Sequence, residues 1–82
     1  MRWRYTEKGE FPQKEDSIGG YGDHVPCLVE ERNFDYNLLC YNTYEQCWDD
    51  DHCDDYYCDS RAVKRWIPVK EIEDETKREA EQ

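Results

Sequence analysis

Phe34, Tyr36, Leu38 and Cys40 take every second place in "NFDYNLLCYN", and Leu39 and Tyr41 fill two of the places between. An alternation of period two is that of a strand, whose side chains leave on opposite faces in turn. "VPCLVEE", Val25 to Glu31, reads the same way, with Pro26 near the beginning, where a missing N–H is tolerated. The "ERN" between these two runs suits a hairpin turn. Trp3 and Tyr5 alternate with Arg2 and Arg4 from Met1 to Tyr5, and Pro12 closes that segment. A turn at Asn42–Thr43 leads to a short strand from Gln46 to Trp48, and "AVKRWIPV" alternates again until Pro68. The pattern predicts a small α+β domain over residues 1–69, mainly antiparallel β, with about four short strands and a helical turn near Asp54–Arg61. "KEDSIGGYGDH", Lys14 to His24, holds three of the four glycines and reads as a connecting loop. Its "GGYG" lacks the Lys-Ser/Thr that a phosphate-cradling loop requires.

Residues 70–82, "KEIEDETKREAEQ", form a charged tail of helix formers. Glu73 with Lys77 and Asp74 with Arg78 are favourable pairs at i,i+4, whereas Glu71–Glu75 and Glu75–Glu79 are unfavourable. Ile72 is its only large apolar residue, so the expectation is a helical or frayed end.

With 82 residues the core is thin, and 39% charged residues with a mean hydropathy of −1.27 approach the composition of disordered chains. Three Trp, seven Tyr and two Phe argue for a folded domain instead. The net charge of −10 is unevenly spread: residues 45–59 hold seven acids and no base, whereas 60–69 hold three bases and no acid. Such a block repels nucleic acid and anionic membranes and attracts cationic protein surfaces. Direct nucleic-acid or membrane binding is therefore not expected.

Three chemistries compete for the block "EQCWDDDHCDDYYCDS". Cys47, His52, Cys53 and Cys58 could form a small metal or redox site, but their spacing lacks the close cysteine pair of structural zinc. Acids nearby also disfavour the thiolate. A calcium loop starting at Asp49 would need Gly and Glu where Asp54 and Ser60 stand. No metal or cofactor is expected. Catalysis is not indicated either. His52 and Cys53 are chain neighbours that an extended backbone points apart, His24 lies away in the glycine-rich loop, and the carboxylates read as solvated. Recognition remains, with Glu45, Asp49, Asp50, Asp51, Asp54, Asp55 and Asp59 supplying charge and Tyr56 and Tyr57 aromatic contact. An acidic loop can also do no more than keep a small domain in solution. Arg61, Lys64 and Arg65 make the one local cationic cluster, the only basis for the further alternative of a sponge for a signalling nucleotide.

Five cysteines are an odd number, and the expectation is free, mostly buried thiols. "MRWRYTEKGE" contains no apolar run of the signal-peptide kind, and no stretch approaches ~20 apolar residues, so a cytoplasmic location is expected.

Trp3, Phe11-Pro12, Val25 to Val29, Trp48-Asp49, Val63 and Trp66-Ile67-Pro68-Val69 fall in an order that resembles a small phage and prophage domain family of unknown function. Members of that family begin near a Trp, continue through a Leu-Pro element and a Val-rich strand, and close on Val-x-x-Trp-Met-Pro-Leu-Pro. The resemblance spans residues 3–71, with Phe11 in place of the usual Leu, Lys70 in place of a second Pro, and a longer "SIGGYGDH" loop. It implies a sheet-rich accessory domain with no catalytic residues, in which Trp3, Trp48 and Trp66 belong to the core. By analogy of type, small acidic phage proteins include anti-CRISPR DNA mimics. That analogy, joined to the acidic block, gives the expectation of a non-enzymatic protein that binds a basic surface of a host nuclease or other nucleic-acid-binding enzyme.

Overall fold

In the computed structural model, which describes residues 1–80, one antiparallel sheet of six strands carries a C-terminal helix. The strands are β1 (Arg4–Tyr5), β2 (His24–Glu31), β3 (Tyr36–Asn42), β4 (Cys47–Asp49), β5 (Tyr56–Asp59) and β6 (Val63–Pro68), followed by α1 (Val69–Ala80). Their order across the sheet is β1-β6-β2-β3-β4-β5, with every neighbouring pair antiparallel. Three of the five adjacencies join consecutive strands from β2 to β5, and the other two involve β6, which crosses back to lie between β1 and β2.

The sheet has more strands than the sequence reading anticipates. The addition is β5, which replaces the helical turn expected near Asp54–Arg61; only Ser60–Ala62 forms a short 3-10 turn there. Extended pairing with β4 satisfies the inner side of the "YYCD" backbone, and a single turn of helix at the same place would leave the β4 edge open.

Register decides which side of each strand is buried. Val25 lies opposite Tyr41, Cys27 opposite Leu39, Val29 opposite Trp66, and Tyr41 opposite Trp48. These residues, with Val63, form one cluster on one face of the sheet. The segment 6–12 closes over it. The Thr6 hydroxyl donates to the Val63 carbonyl (2.6 Å), the Trp66 indole N–H donates to the Glu10 carbonyl (2.9 Å), and Phe11 stacks on Tyr41 at 6.2 Å. Trp48 and Trp66 are core residues as the family resemblance implies, whereas Trp3 is half-buried with the Arg65 guanidinium 4.1 Å above its ring.

The opposite face is covered only in part: Glu30, Cys40, Asp49 and Ile67 are buried on it, whereas the stretch around the first half of β3 is open. Tyr36 and Leu38 are 55% and 58% exposed there, and Leu28 lies opposite Leu38 in the register. The turn from β2 to β3 brings Phe34 to a φ of 70°, the left-handed region that non-glycine residues seldom adopt.

The tail is helical over the described residues, and positions 81 and 82 of the expected 70–82 segment lie outside them. Ion pairs contribute to holding it in place. Arg4 pairs with Glu71, the chain's amino group lies 3.8 Å from Glu75, and Lys70 donates to the Glu15 carbonyl. The Arg4 guanidinium holds the Glu71 carboxyl below its usual range. Among the described residues, no helix is long and apolar enough to cross a membrane.

One expectation about the cysteines is overturned. Cys40 and Cys53 are joined by a disulfide, with Cα atoms 5.4 Å apart, and Cys27, Cys47 and Cys58 are free. An odd count leaves a thiol over but does not prevent pairing. Here the bend after β4 folds back on β3 and places the two Cα atoms within the span that a disulfide bridges.

Candidate acidic docking site

The bend between β4 and β5, residues 50–55, is built around one side chain. Asp50 Oδ1 accepts the backbone N–H groups of His52 and Asp54, each at 3.1 Å. The Asp50 N–H donates to the Asp55 carbonyl (2.8 Å) and the Cys53 N–H to the Asp50 carbonyl (3.0 Å). Cys53 takes a φ of 58°, and its sulfur is bonded to Cys40. An aspartate is suited to this position because its short carboxylate reaches amides two residues on. The hydrogen bond from Asp54, reinforced by those from Asp55 and His52, holds the Asp50 carboxyl below its ordinary value.

That depression has a testable sign. The charged form is favoured in the folded state, so its contribution is present above the ordinary carboxylate range and disappears as pH falls through the lowered value. Asp50→Asn should therefore melt below the wild type at pH 6, and the gap should close below about pH 4. Thermal melts of both proteins between pH 3 and 6 check this; a gap that persists or widens in acid removes the role given to the Asp50 charge.

The residues expected to form one outward surface divide into three groups. Asp49 is the correction: it is 6% exposed, on the face away from the main core, opposite Cys40. His24 Nε2 lies 2.8 Å from Asp49 Oδ2, the Asn42 amide donates to the same oxygen at 3.2 Å, and the Cys47 thiol lies 3.7 Å from Oδ1. The cause is strand alternation. Trp48 turns into the core, so Asp49 must turn the other way, beneath polar groups from β2 and β3 that accept a buried carboxylate. Asp50 and Asp59 form the second group, turned to local partners: Asp50 to the bend, and Asp59 to the Tyr56 hydroxyl. That hydrogen bond pushes the Tyr56 pKa up to about 12.

Glu45, Asp51, Asp54 and Asp55 are the third group, exposed and pointing to solvent, and Tyr57 joins them at 45% exposure. Among the described residues, every Arg or Lys ion pair uses a carboxylate outside the block: Arg2–Glu10, Arg4–Glu71, Lys14–Asp23 and Arg65–Glu30. His52, itself exposed, lies 3.7 Å from Asp51.

The rival constellations do not assemble. Cys53 is consumed by its disulfide, His52 projects outward, and burial pushes the Cys58 thiol up to about 11. Cys47 is also raised, by burial and by Asp49. Among the described residues, no three His, Cys, Asp or Glu side chains are grouped to hold a metal ion. His24 approaches Asp49, not Cys53. The cationic cluster disperses: Arg61 lies over Phe11, Lys64 over Phe34 and Arg65 over Trp3. Arg61 alone lines a cleft of about 400 Å³ with Phe11, Tyr41 and Gln46.

Strand alternation signals Tyr36 and Leu38 in the sequence but does not say that their face stays open. Both line a depression of about 470 Å³ beside the acidic bend, together with Leu28, Asp50, Asp51 and Tyr57. No family model matches the chain, and no curated protein or solved structure matches it either.

Proposed function

We propose that this chain is a non-enzymatic binding protein whose acidic bend engages a cationic surface of a nucleic-acid-handling protein. The observation that carries this reading is the uncompensated charge of Glu45, Asp51, Asp54 and Asp55, which no lysine or arginine of the described residues pairs with. Nucleic-acid enzymes hold the phosphate backbone with Lys and Arg. Fixed carboxylates can occupy the same groove, and their attraction speeds encounter. A phage accessory protein acting on a host nuclease, in the manner of anti-CRISPR DNA mimics, is the setting that the sequence resemblance favours. The cytoplasm is the location such a partner implies.

The test uses the outward acids only, since Asp49 and Asp50 hold the structure together. The triple variant Asp51→Asn, Asp54→Asn, Asp55→Asn should keep its circular dichroism spectrum and lose at least about tenfold in affinity for basic nucleic-acid enzymes captured from a bacterial lysate. Wild-type capture should weaken steeply between ~50 and ~300 mM salt, as Debye screening shortens. Undiminished capture by the folded triple variant, or capture indifferent to salt, rejects the reading.

A further inference from the structure

We infer that the open sheet face beside the acidic bend is the docking surface for a cationic amphipathic segment of the partner, one that offers apolar side chains flanked by Lys or Arg. The inference rests on the functional reading above and names what the partner must present.

Two depressions meet on this face, one of about 470 Å³ and one of about 260 Å³, and both are lined by Leu38, Leu39 and Asp51. Leu38 stands between them, 58% exposed, with Leu28 and Tyr36 on one side and Tyr21 and Val69 on the other. Apolar ground of this kind at the centre with polar groups at the rim marks interaction surfaces. Here the rim is of one sign. Asp50 and Asp51 border the first depression, Asp51 and Glu73 the second, and among the described residues no lysine or arginine lines either.

Charge selects among occupants. A second copy would bring another −10 and its own acidic rim, so self-docking opposes itself. An anionic membrane and nucleic acid are repelled for the same reason. An uncharged apolar segment would gain nothing from the three rim carboxylates. A cationic amphipathic segment satisfies both components: its apolar side chains cover Leu38 and Tyr36 while its ammonium or guanidinium groups meet the rim. Helix-in-groove recognition pairs apolar anchors with charge in this way. Pure mimicry of a phosphate backbone would need the carboxylates and leave the apolar floor unused.

The experiment compares two synthetic probes of equal positive charge, an amphipathic Leu/Lys peptide and an oligolysine, by titration calorimetry on the intact protein. The amphipathic peptide should bind at least about tenfold more tightly. Leu38→Ser, an exposed position whose change leaves the core alone, should abolish that surplus without altering oligolysine binding. The triple aspartate variant should weaken both probes. Equal binding of the two probes, with Leu38→Ser silent, overturns the inference while leaving the acidic-bend reading standing. Failure of both probes to bind overturns the two together. Dimerisation of the wild type that Leu38→Ser reverses also overturns the inference, since the face would then belong to a second copy.

Discussion

Trp48→Ala should cost about 3–5 kcal/mol of folding free energy, the range for removing a large aromatic from a packed core. Trp48 is fully buried, it meets Tyr41 edge-on at 4.8 Å, and its indole N–H donates to the Ser60 carbonyl at 3.0 Å. The substitution therefore removes packing, an aromatic contact and the partner of a carbonyl in the β5–β6 connection. A domain of this size has a total stability of about 4–12 kcal/mol, so the variant should be partly or wholly unfolded at 37 °C. Urea unfolding followed by circular dichroism measures the loss. Trp48→Phe separates its parts, since it keeps most of the ring and drops the hydrogen bond, and it should cost about 1–2 kcal/mol. A loss below about 1 kcal/mol in the alanine variant would contradict the placement of Trp48 at the centre of the core.

Reduction of the Cys40–Cys53 bond should lower stability by about 3 kcal/mol, the chain-entropy value for a loop of this length. The two cysteines are 13 residues apart, and the ring they close contains β4 and most of the acidic bend. The paired replacement Cys40→Ser with Cys53→Ser should reproduce the effect without a reductant. Amide exchange at Asp50 to Asp55 should accelerate more than at β2 or β6, because the bend loses its tether while the central strands keep their ladders. Unchanged exchange in the bend, or a loss under about 0.5 kcal/mol, would mean that the bond adds little to what Asp50 already holds. In a reducing cytoplasm the open form would be the one that meets a partner, so binding should be measured in both redox states.

The long strands were legible because their apolar residues recur at period two, and β2, β3 and β6 lie where that alternation places them. β5 was not. Its four residues, "YYCD", include only Cys58 packed against the core, and the aspartates around it look like those of a solvated loop. Its strand character comes from pairing with β4, a contact between segments that no local pattern carries. The disulfide was hidden for the same reason, since the approach of Cys40 to Cys53 depends on how the bend closes. In the site, the sequence revealed the density of charge but not its division. Asp49, Asp50 and Asp51 are identical and adjacent in the chain, yet one is buried against His24, one braces the bend and one faces water. What separates them is the inward turn of Trp48 and the cross-strand neighbours it gives Asp49, which require the register of β3 and β4. The open face was half legible: the alternation separated Leu38 from Leu39, and only the cover provided by residues 6–12 decided which of them is buried.

The bracing of the bend by Asp50 also bears on the thermodynamics of recognition. Freezing a flexible backbone costs about 1–2 kcal/mol per residue, and a loose acidic loop would lose that freedom each time it bound. Here the amides of His52 and Asp54 are already tied to one carboxylate whether or not the disulfide is closed, so the outward charges are held in position before any encounter. A pre-ordered surface of this kind spends little entropy on association, and modest contacts then suffice for measurable affinity.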